Sequence, residues 1–333
     1  MLPLFPDISI NQAYRLSVGD LHHLYLEESG NPEGIPVLIL GYGLSTGASS
    51  HHRRFFDAEC YRIIQFDLRG SGRSTPFAET KQNTTQDLLS DIASVFHFLD
   101  LQSVILAGFE FGAHLAVQFA RTHQNKVKGL VLVNMANYSK TSQSWLFSDG
   151  ANKVFPDLWK NFQASFWQDS TPINGKSDLS HSTDELLQEM AKRLAGSNEL
   201  VQMQTARAWT DWIAGIASFH PEKKWQEELS HSHSILALAK IQIHYFLNSG
   251  FESVSEKGEN SDIWISHCPC TFIHGRFNMI SPVAVAMNLQ TRIEGSELLL
   301  IRDAGHSLKS PALIDAIIRV TNSLSNRLAP EGA

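Results

Sequence analysis

Cysteine is scarce in this chain: Cys60, Cys268 and Cys270 are the three among 333 residues. So small and odd a number provides no disulfide framework and suits a reducing compartment, so a cytoplasmic location is expected. Cys268-Pro269-Cys270 is the one close pair. A structural zinc site needs a second pair of ligands, none accompanies it, and no metal is expected. Positive charge is also in deficit, with 27 Lys and Arg against 34 Asp and Glu, a net charge of −7. Nothing in that balance favours nucleic acid or an anionic membrane surface as a partner. No apolar run is long enough to span a bilayer. The N-terminus, Met1-Leu-Pro-Leu-Phe-Pro6, lacks both a basic segment and a long apolar one, so no secretory signal is expected. Internal repeats and low-complexity segments are missing as well. What remains is 43% hydrophobic and 18% charged, enough for a large buried core, as one big domain or a core with an insertion.

Within that core the pattern alternates between short apolar runs and helical periodicity. Residues 12–28 read as two paired strands. Val37-Leu-Ile-Leu40 and Gly129-Leu-Val-Leu-Val-Asn134 are continuous apolar runs, the mark of strands buried on both faces of a parallel sheet. Arg62 to Asp67 is a further strand. Thr84 to Leu99 places Leu88, Ile92, Val95, Phe96 and Leu99 on one face of a helix. Strands alternating with helices predict a parallel, doubly wound α/β sheet. The most informative stretch is Val104-Ile-Leu-Ala107 followed by Gly108-Phe-Glu-Phe-Gly112 and a helical pattern through Ala120. Strand, G-x-S-x-G turn and helix make the nucleophile elbow of α/β-hydrolases. Both glycines are present. The serine is not, and Glu110 stands in its place.

From residue 137 to about 260 the pattern changes to helices rich in aromatics, with Trp145, Trp159, Trp167, Trp209, Trp212 and Trp225 all in this span. Helices are expected over 184–194, 200–216 and 235–247, and a polar loop over 253–262 leads back to the sheet. Strand patterns resume at Cys270 to Gly275 and Leu298 to Ile301, and a last helix is expected from Pro311 to Leu324. The organisation is therefore a core of residues 1–136 and 261–333 with an inserted helical cap of residues 137–260. His51-His-Arg-Arg54 reads as a solvated or sheet-edge cluster.

Several pieces in order give a resemblance. Arg53-Arg-Phe-Phe-Asp57, Tyr61 through Pro76, Asn83-Thr-Thr85, Ala206 through Trp212, Ala239 through Phe246, His274-Gly-Arg-Phe-Asn278 and Asp303-Ala-Gly-His-Ser307 resemble the proline iminopeptidases. These are serine aminopeptidases on the α/β-hydrolase fold. The resemblance covers nearly the whole chain and implies a hydrolase core under a helical cap, with no cofactor. By the same resemblance the family's nucleophile serine falls on Glu110, its triad aspartate on Asn278 and its histidine on His306. The family's His-Gly-Gly-Pro oxyanion loop falls on Leu40, Gly41, Tyr42 and Gly43. Its two cap glutamates, which hold the substrate's free amine, fall on Ile213 and Gln242. Losses at the nucleophile, the acid and both amine anchors together imply that this chain is not a working proline iminopeptidase.

The remaining groups still carry chemistry. A serine triad needs a hydroxyl to attack, a histidine to take its proton and a carboxylate to stabilise the imidazolium. Here Glu110 and His306 form a carboxylate–imidazole pair, with Asn278 as a neutral partner for the ring. Phe109, Phe111, Trp209, Trp212, Tyr245, Gly41, Tyr42 and Gly43 are expected to line the substrate site with Ile213 and Gln242. Three readings stay open. Glu110 and His306 act as acid and base on a small molecule, in elimination, isomerisation, cyclisation or condensation. Alternatively the protein is a pseudoenzyme that binds a ligand or partner. In the third reading Glu110 is a carboxylate nucleophile.

Overall fold

The structure is a computed structural model, and it describes residues 1–41, 47–167, 182–217, 232–251 and 264–328. Tyr42, Gly43, Trp225 and the polar loop expected over 253–262 lie outside the described residues.

Eight strands form one sheet in the order β1-β2-β4-β3-β5-β6-β7-β8. In chain order they are β1 (Ile10–Val18), β2 (His22–Gly30), β3 (Ile35–Leu40), β4 (Tyr61–Phe66), β5 (Val104–Phe109), β6 (Val127–Val133), β7 (Trp264–Gly275) and β8 (Ile293–Ile301). β1, β2 and β4 pair antiparallel, and every pairing from β4 through β3, β5, β6 and β7 to β8 is parallel. This is the α/β-hydrolase arrangement. The apolar runs read as buried strands occupy its middle, and all six residues of β5 are buried.

Side chains alternate across β5. Val104 and Leu106 enter one apolar cluster, which continues into the helices that follow β6. Ile105, Ala107 and Phe109 enter the other, closed by Leu313, Ile317 and Leu324 of the terminal helix Pro311–Leu328. Thr84 caps the helix Thr85–Phe98 by accepting from Asp87 N, and the Asp87 carboxylate accepts from Thr84 N in return. That reciprocal box fixes the helix start where the sequence places it.

Between β6 and β7 lies an inserted helical region, with helices Lys140–Phe147, Ala151–Val154, Pro156–Trp167, Thr183–Ala195, Glu199–Ile216 and Ser232–Leu247. Its aromatics pack on one another: Trp159 contacts both Phe162 and Trp212, and Trp209 contacts Phe147, Phe162 and Phe246. The run at His51–Arg54 corrects the expectation of a solvated cluster. His52 and Arg53 are buried, because Arg53 Nη1 meets Glu27 Oε1 at 3.1 Å and His52 packs on Phe109. Among the described residues no helix is long and apolar enough to cross a membrane.

Candidate active site

β5 delivers Glu110 to the end of the sheet's central strand. The turn holds it at φ 51° and ψ −117°, a region that non-glycine residues occupy at a cost of about 1–3 kcal/mol. Three backbone bonds fix it. Glu110 N donates to Val133 O at 2.9 Å, and its carbonyl accepts from Ala113 N and Ala136 N at 3.1 and 3.2 Å. The flanking glycines are required by contact. A Cβ at Gly108 would sit 2.4 Å from Ala113 Cα, and one at Gly112 would sit 2.3 Å from Leu40 O.

His306 follows β8, in the loop that leads to the terminal helix Pro311–Leu328. Its backbone is tied twice: His306 N donates to Ala217 O at 3.2 Å, and its carbonyl accepts from Asn134 Nδ2 at 2.8 Å. The imidazole lies between two side chains. Nε2 contacts Glu110 Oε1 directly, and Nδ1 faces Asn278 Oδ1 at 3.2 Å. All three groups are buried.

The hydrogen bonds fix where the protons sit. Asn278 Oδ1 also accepts from Ile280 N and Ser281 N, at 3.2 and 3.1 Å. Reversing the amide would turn its NH₂ group against two N–H donors, so the oxygen faces His306. An amide oxygen only accepts, so Nδ1 carries a hydrogen and donates it. Nε2 then meets a carboxylate oxygen, and two bare acceptors repel at that range. A hydrogen between His306 Nε2 and Glu110 Oε1 satisfies both atoms, so the two side chains form a hydrogen-bonded carboxylate–imidazole pair. Asn278 Nδ2 is buried without a partner among the described residues, and an unmade bond of that kind costs about 1–3 kcal/mol.

A cavity of about 40 Å³ opens on Glu110. It has room for a few water molecules and is far below the roughly 300–1,000 Å³ of a substrate pocket. Glu110, Ile213, Gln242 and Trp209 line it, and His306 does not. Opposite Glu110 stands Tyr138, whose phenol burial first, and then the Glu110 charge, push up in pKa. Gln242 Oε1 accepts from Trp209 Nε1 at 2.8 Å, which leaves its amide N–H groups for the Tyr138 hydroxyl. The position where the resemblance places an amine-holding glutamate is thus occupied by a neutral amide whose hydrogen bonds stay within the cap.

Several residues expected at the site lie elsewhere. Phe109 stacks on Phe55 on the other face of the sheet. Phe111 and Tyr245 pack against each other and against Tyr138 below the cavity, and the Tyr245 hydroxyl donates to Asn83 Oδ1 at 3.2 Å. Trp212 sits in the aromatic core with Trp159 and Phe162. Gly41 does not reach the cavity and instead backs the elbow, where its carbonyl is 2.7 Å from the Cβ position of Gly112. For the four aromatic residues the type is right for the site, but period and neighbours aim them into the core. Conversely, the sequence patterns do not single out Asn134 or Tyr138. Asn134 is fully buried with φ 47°, ties the His306 carbonyl, and accepts from Gly275 N at 3.0 Å. Its one signal is a polar residue ending an apolar strand. Among the described residues no group of three His, Cys, Asp or Glu side chains is arranged to hold a metal ion.

Comparison with known proteins places these features in a lineage. The alpha/beta hydrolase fold family matches residues 36–310. A probable proline iminopeptidase of Leptolyngbya boryana is 32% identical over 323 residues, 97% of each chain. The proline iminopeptidase of Arabidopsis thaliana is 35% identical over 311 residues, 93% of this chain and 79% of its own. Among solved structures, a proline iminopeptidase-related protein of Thermus thermophilus superposes with a TM-score of 0.62 at 18% identity, covering 95% of this chain and 99% of its own.

Proposed function

This chain belongs to the proline iminopeptidase family of the α/β-hydrolase fold, and from that premise we propose that it performs acid–base chemistry instead of peptide hydrolysis. Residues 137–260 act as a cap over a core of residues 1–136 and 261–333. Glu110 and His306 exchange one proton with a small molecule, and Asn278 keeps the His306 ring in the tautomer that supports this. The observation that carries the reading is the direct, buried contact between Glu110 Oε1 and His306 Nε2. Glu110 lines the cavity and His306 does not, so every proton entering or leaving the pair passes through the Glu110 carboxylate. His306 acts as the reservoir behind it. A hydrolase mechanism in which His306 activates water is disfavoured, since its Nε2 is already engaged. In elimination, isomerisation, cyclisation and condensation the protein's part can be proton transfer at a substrate atom, the substrate itself supplying the leaving group or electrophile where one is needed.

One observation favours a second reading. Tyr138, Trp209 and Phe246 fill the space above Glu110 and leave about 40 Å³, as expected of a pseudoenzyme whose site has closed. A single experiment separates the two. The wild type and Glu110→Gln are each incubated with a metabolite extract of the source organism and analysed by untargeted mass spectrometry. Acid–base catalysis gives a Glu110-dependent product equal in mass to its substrate, lighter by water or another leaving group, or, for a condensation, equal to two substrates joined with or without loss of water. A product heavier by one water marks a hydrolase and overturns the proposal. No difference between the proteins assigns the pseudoenzyme.

A further inference from the structure

The cavity over Glu110 restricts what kind of molecule the dyad can act on. Glu110 is the one charged group in its lining; the other polar side chains are Asn137, Tyr138, Ser142 and Gln242, beside the indole of Trp209, and among the described residues no Lys, Arg or His lines it. A phosphate or carboxylate at the reacting end of a substrate would find no counter-charge there. It would face the Glu110 carboxylate at short range, which a poorly solvated site penalises. The reacting end is therefore neutral.

The hydrogen bonds of the lining leave one strong donor. Trp209 Nε1 can only donate, and it donates to Gln242 Oε1 at 2.8 Å. The Gln242 amide thus turns its NH₂ group toward its other partner, the Tyr138 hydroxyl, whose oxygen accepts. Among the described residues no acceptor takes the hydrogen of that hydroxyl, and Tyr138 lines the cavity. The Ser142 hydroxyl, by contrast, already donates to Asn137 Oδ1 at 2.6 Å. Burial first, and then the Glu110 charge, push the Tyr138 phenol up in pKa, so it keeps its hydrogen at neutral pH. Contacts with Phe111, Tyr245 and Phe246 hold the ring in place. The other donors left to the cavity are amide N–H groups. A phenol is more acidic than an amide and bonds a developing oxyanion more strongly.

We infer that the dyad's substrate is a neutral carbonyl compound with a hydrogen on the carbon beside the carbonyl, and that Tyr138 is a catalytic residue whose O–H binds the carbonyl oxygen while Glu110 takes that hydrogen. The inference rests on the acid–base reading above and names its substrate class. Room for a few water molecules is room for a carbonyl group and the carbon next to it. In the step the C–H bond breaks and its proton goes to the Glu110 carboxylate. The electron pair of that bond forms a C=C bond, and the C=O π pair moves onto oxygen, where the Tyr138 hydrogen bond stabilises it. The resulting enolate serves all four reactions. Return of the proton at another carbon isomerises, loss of a β-substituent eliminates, and attack on a second carbonyl condenses or, within one molecule, cyclises.

Exchange of the α-hydrogens of acetone and butanone in D₂O, followed by proton NMR, isolates this step. The wild type exchanges at least one of them at least about tenfold faster than buffer. Pyruvate, a ketone that carries a carboxylate, exchanges at the buffer rate. Glu110→Gln returns the ketones to the buffer rate. Tyr138→Phe keeps the ring contacts and an unchanged near-ultraviolet circular dichroism spectrum, and it lowers the excess over buffer at least about tenfold. A smaller loss in Tyr138→Phe, with exchange gone in Glu110→Gln, overturns the role of Tyr138 and leaves the acid–base reading standing. Exchange kept by Glu110→Gln overturns both. A wild type that exchanges neither ketone, or that exchanges pyruvate as fast as butanone, overturns the substrate class, and the metabolite experiment then decides the acid–base reading alone.

Discussion

Lowering the pH should unfold this protein earlier than its carboxylates alone would, because three buried histidines resist protonation in the native state. His52 is pushed down to about 3 by burial and then by the charge of His51. His114 is pushed down to about 4 by burial and then by Arg121. His274 is also pushed down to about 4, by burial first, with the His306 charge adding to it and the hydrogen bond to Ser281 O partly offsetting it. In the unfolded chain each histidine titrates near 6.5. Between about pH 6.5 and 4 the unfolded state therefore binds more protons than the native one, and stability rises with pH across that window. Near pH 5 the excess approaches three protons. Integrated from pH 7 to pH 5, each histidine contributes about 2 kcal/mol and the three together about 6 kcal/mol. That is a large part of the roughly 5–15 kcal/mol that stabilises an ordinary domain. His244, also lowered by burial, acts in the same direction. Asp91, raised by burial despite its Arg69 partner, acts in the opposite direction. Urea unfolding followed by tryptophan fluorescence at fixed ionic strength measures the change. His114→Phe, whose ring can take over the stacking on Phe111, should remove about 2 kcal/mol of the pH dependence. A loss of less than about 1.5 kcal/mol between pH 7 and 5, or an unchanged slope in His114→Phe, refutes the reasoning.

Other consequences follow from the elbow and its supports. Gly112→Ala places a methyl group 2.3 Å from the Leu40 carbonyl, so it should destabilise by roughly 3 kcal/mol or more, read as a lower urea midpoint. Asn134→Ala removes hydrogen bonds to the His306 carbonyl and the Gly275 amide; it should cost about 2–3 kcal/mol and shift the His306 ring resonances in an NMR spectrum. Neither the wild type nor Glu110→Ser should release product from a chromogenic prolyl amide, because Asn278, Ile213 and Gln242 remain. Turnover by the wild type that Glu110→Ala abolishes would sink that expectation.

How much of this was legible in the sequence depended on what each residue must satisfy. β3, β5 and β6 are read from unbroken apolar runs, since a strand buried on both faces leaves no room for polar side chains. The elbow was legible because Gly108 and Gly112 answer a backbone contact that no other residue tolerates. The adjacency of Glu110 and His306 follows once the frame is known, because the sheet order brings the loop after β8 to the end of β5. Side-chain direction was not legible. Phe109 and Phe111 flank Glu110 in sequence, yet the strand sends one to the far face and the helix start sends the other beneath Tyr138. Trp209 and Trp212 are three apart on one helix, and only Trp209 reaches the cavity. Asn134 escaped notice because its task, holding the carbonyl of a residue 172 positions away, leaves no local pattern.

The cost of Glu110 bears on what the protein does. Its backbone sits in a strained region worth about 1–3 kcal/mol, which a glycine would relieve. Its carboxylate is buried, which is unfavourable unless paired, and the partner it has is His306. Glycine at this position would remove the strain and the buried charge together, and would leave His306 held by Asn278 and its backbone ties. A site that had merely lost its nucleophile has no physical reason to hold a strained, desolvated carboxylate against an imidazole. On the proposed reading the two groups work as a unit, the carboxylate paired with the imidazole and lining a cavity. Such a unit has a use where a proton must be given or taken at a bound molecule. That reasoning places Glu110 first among the residues to alter.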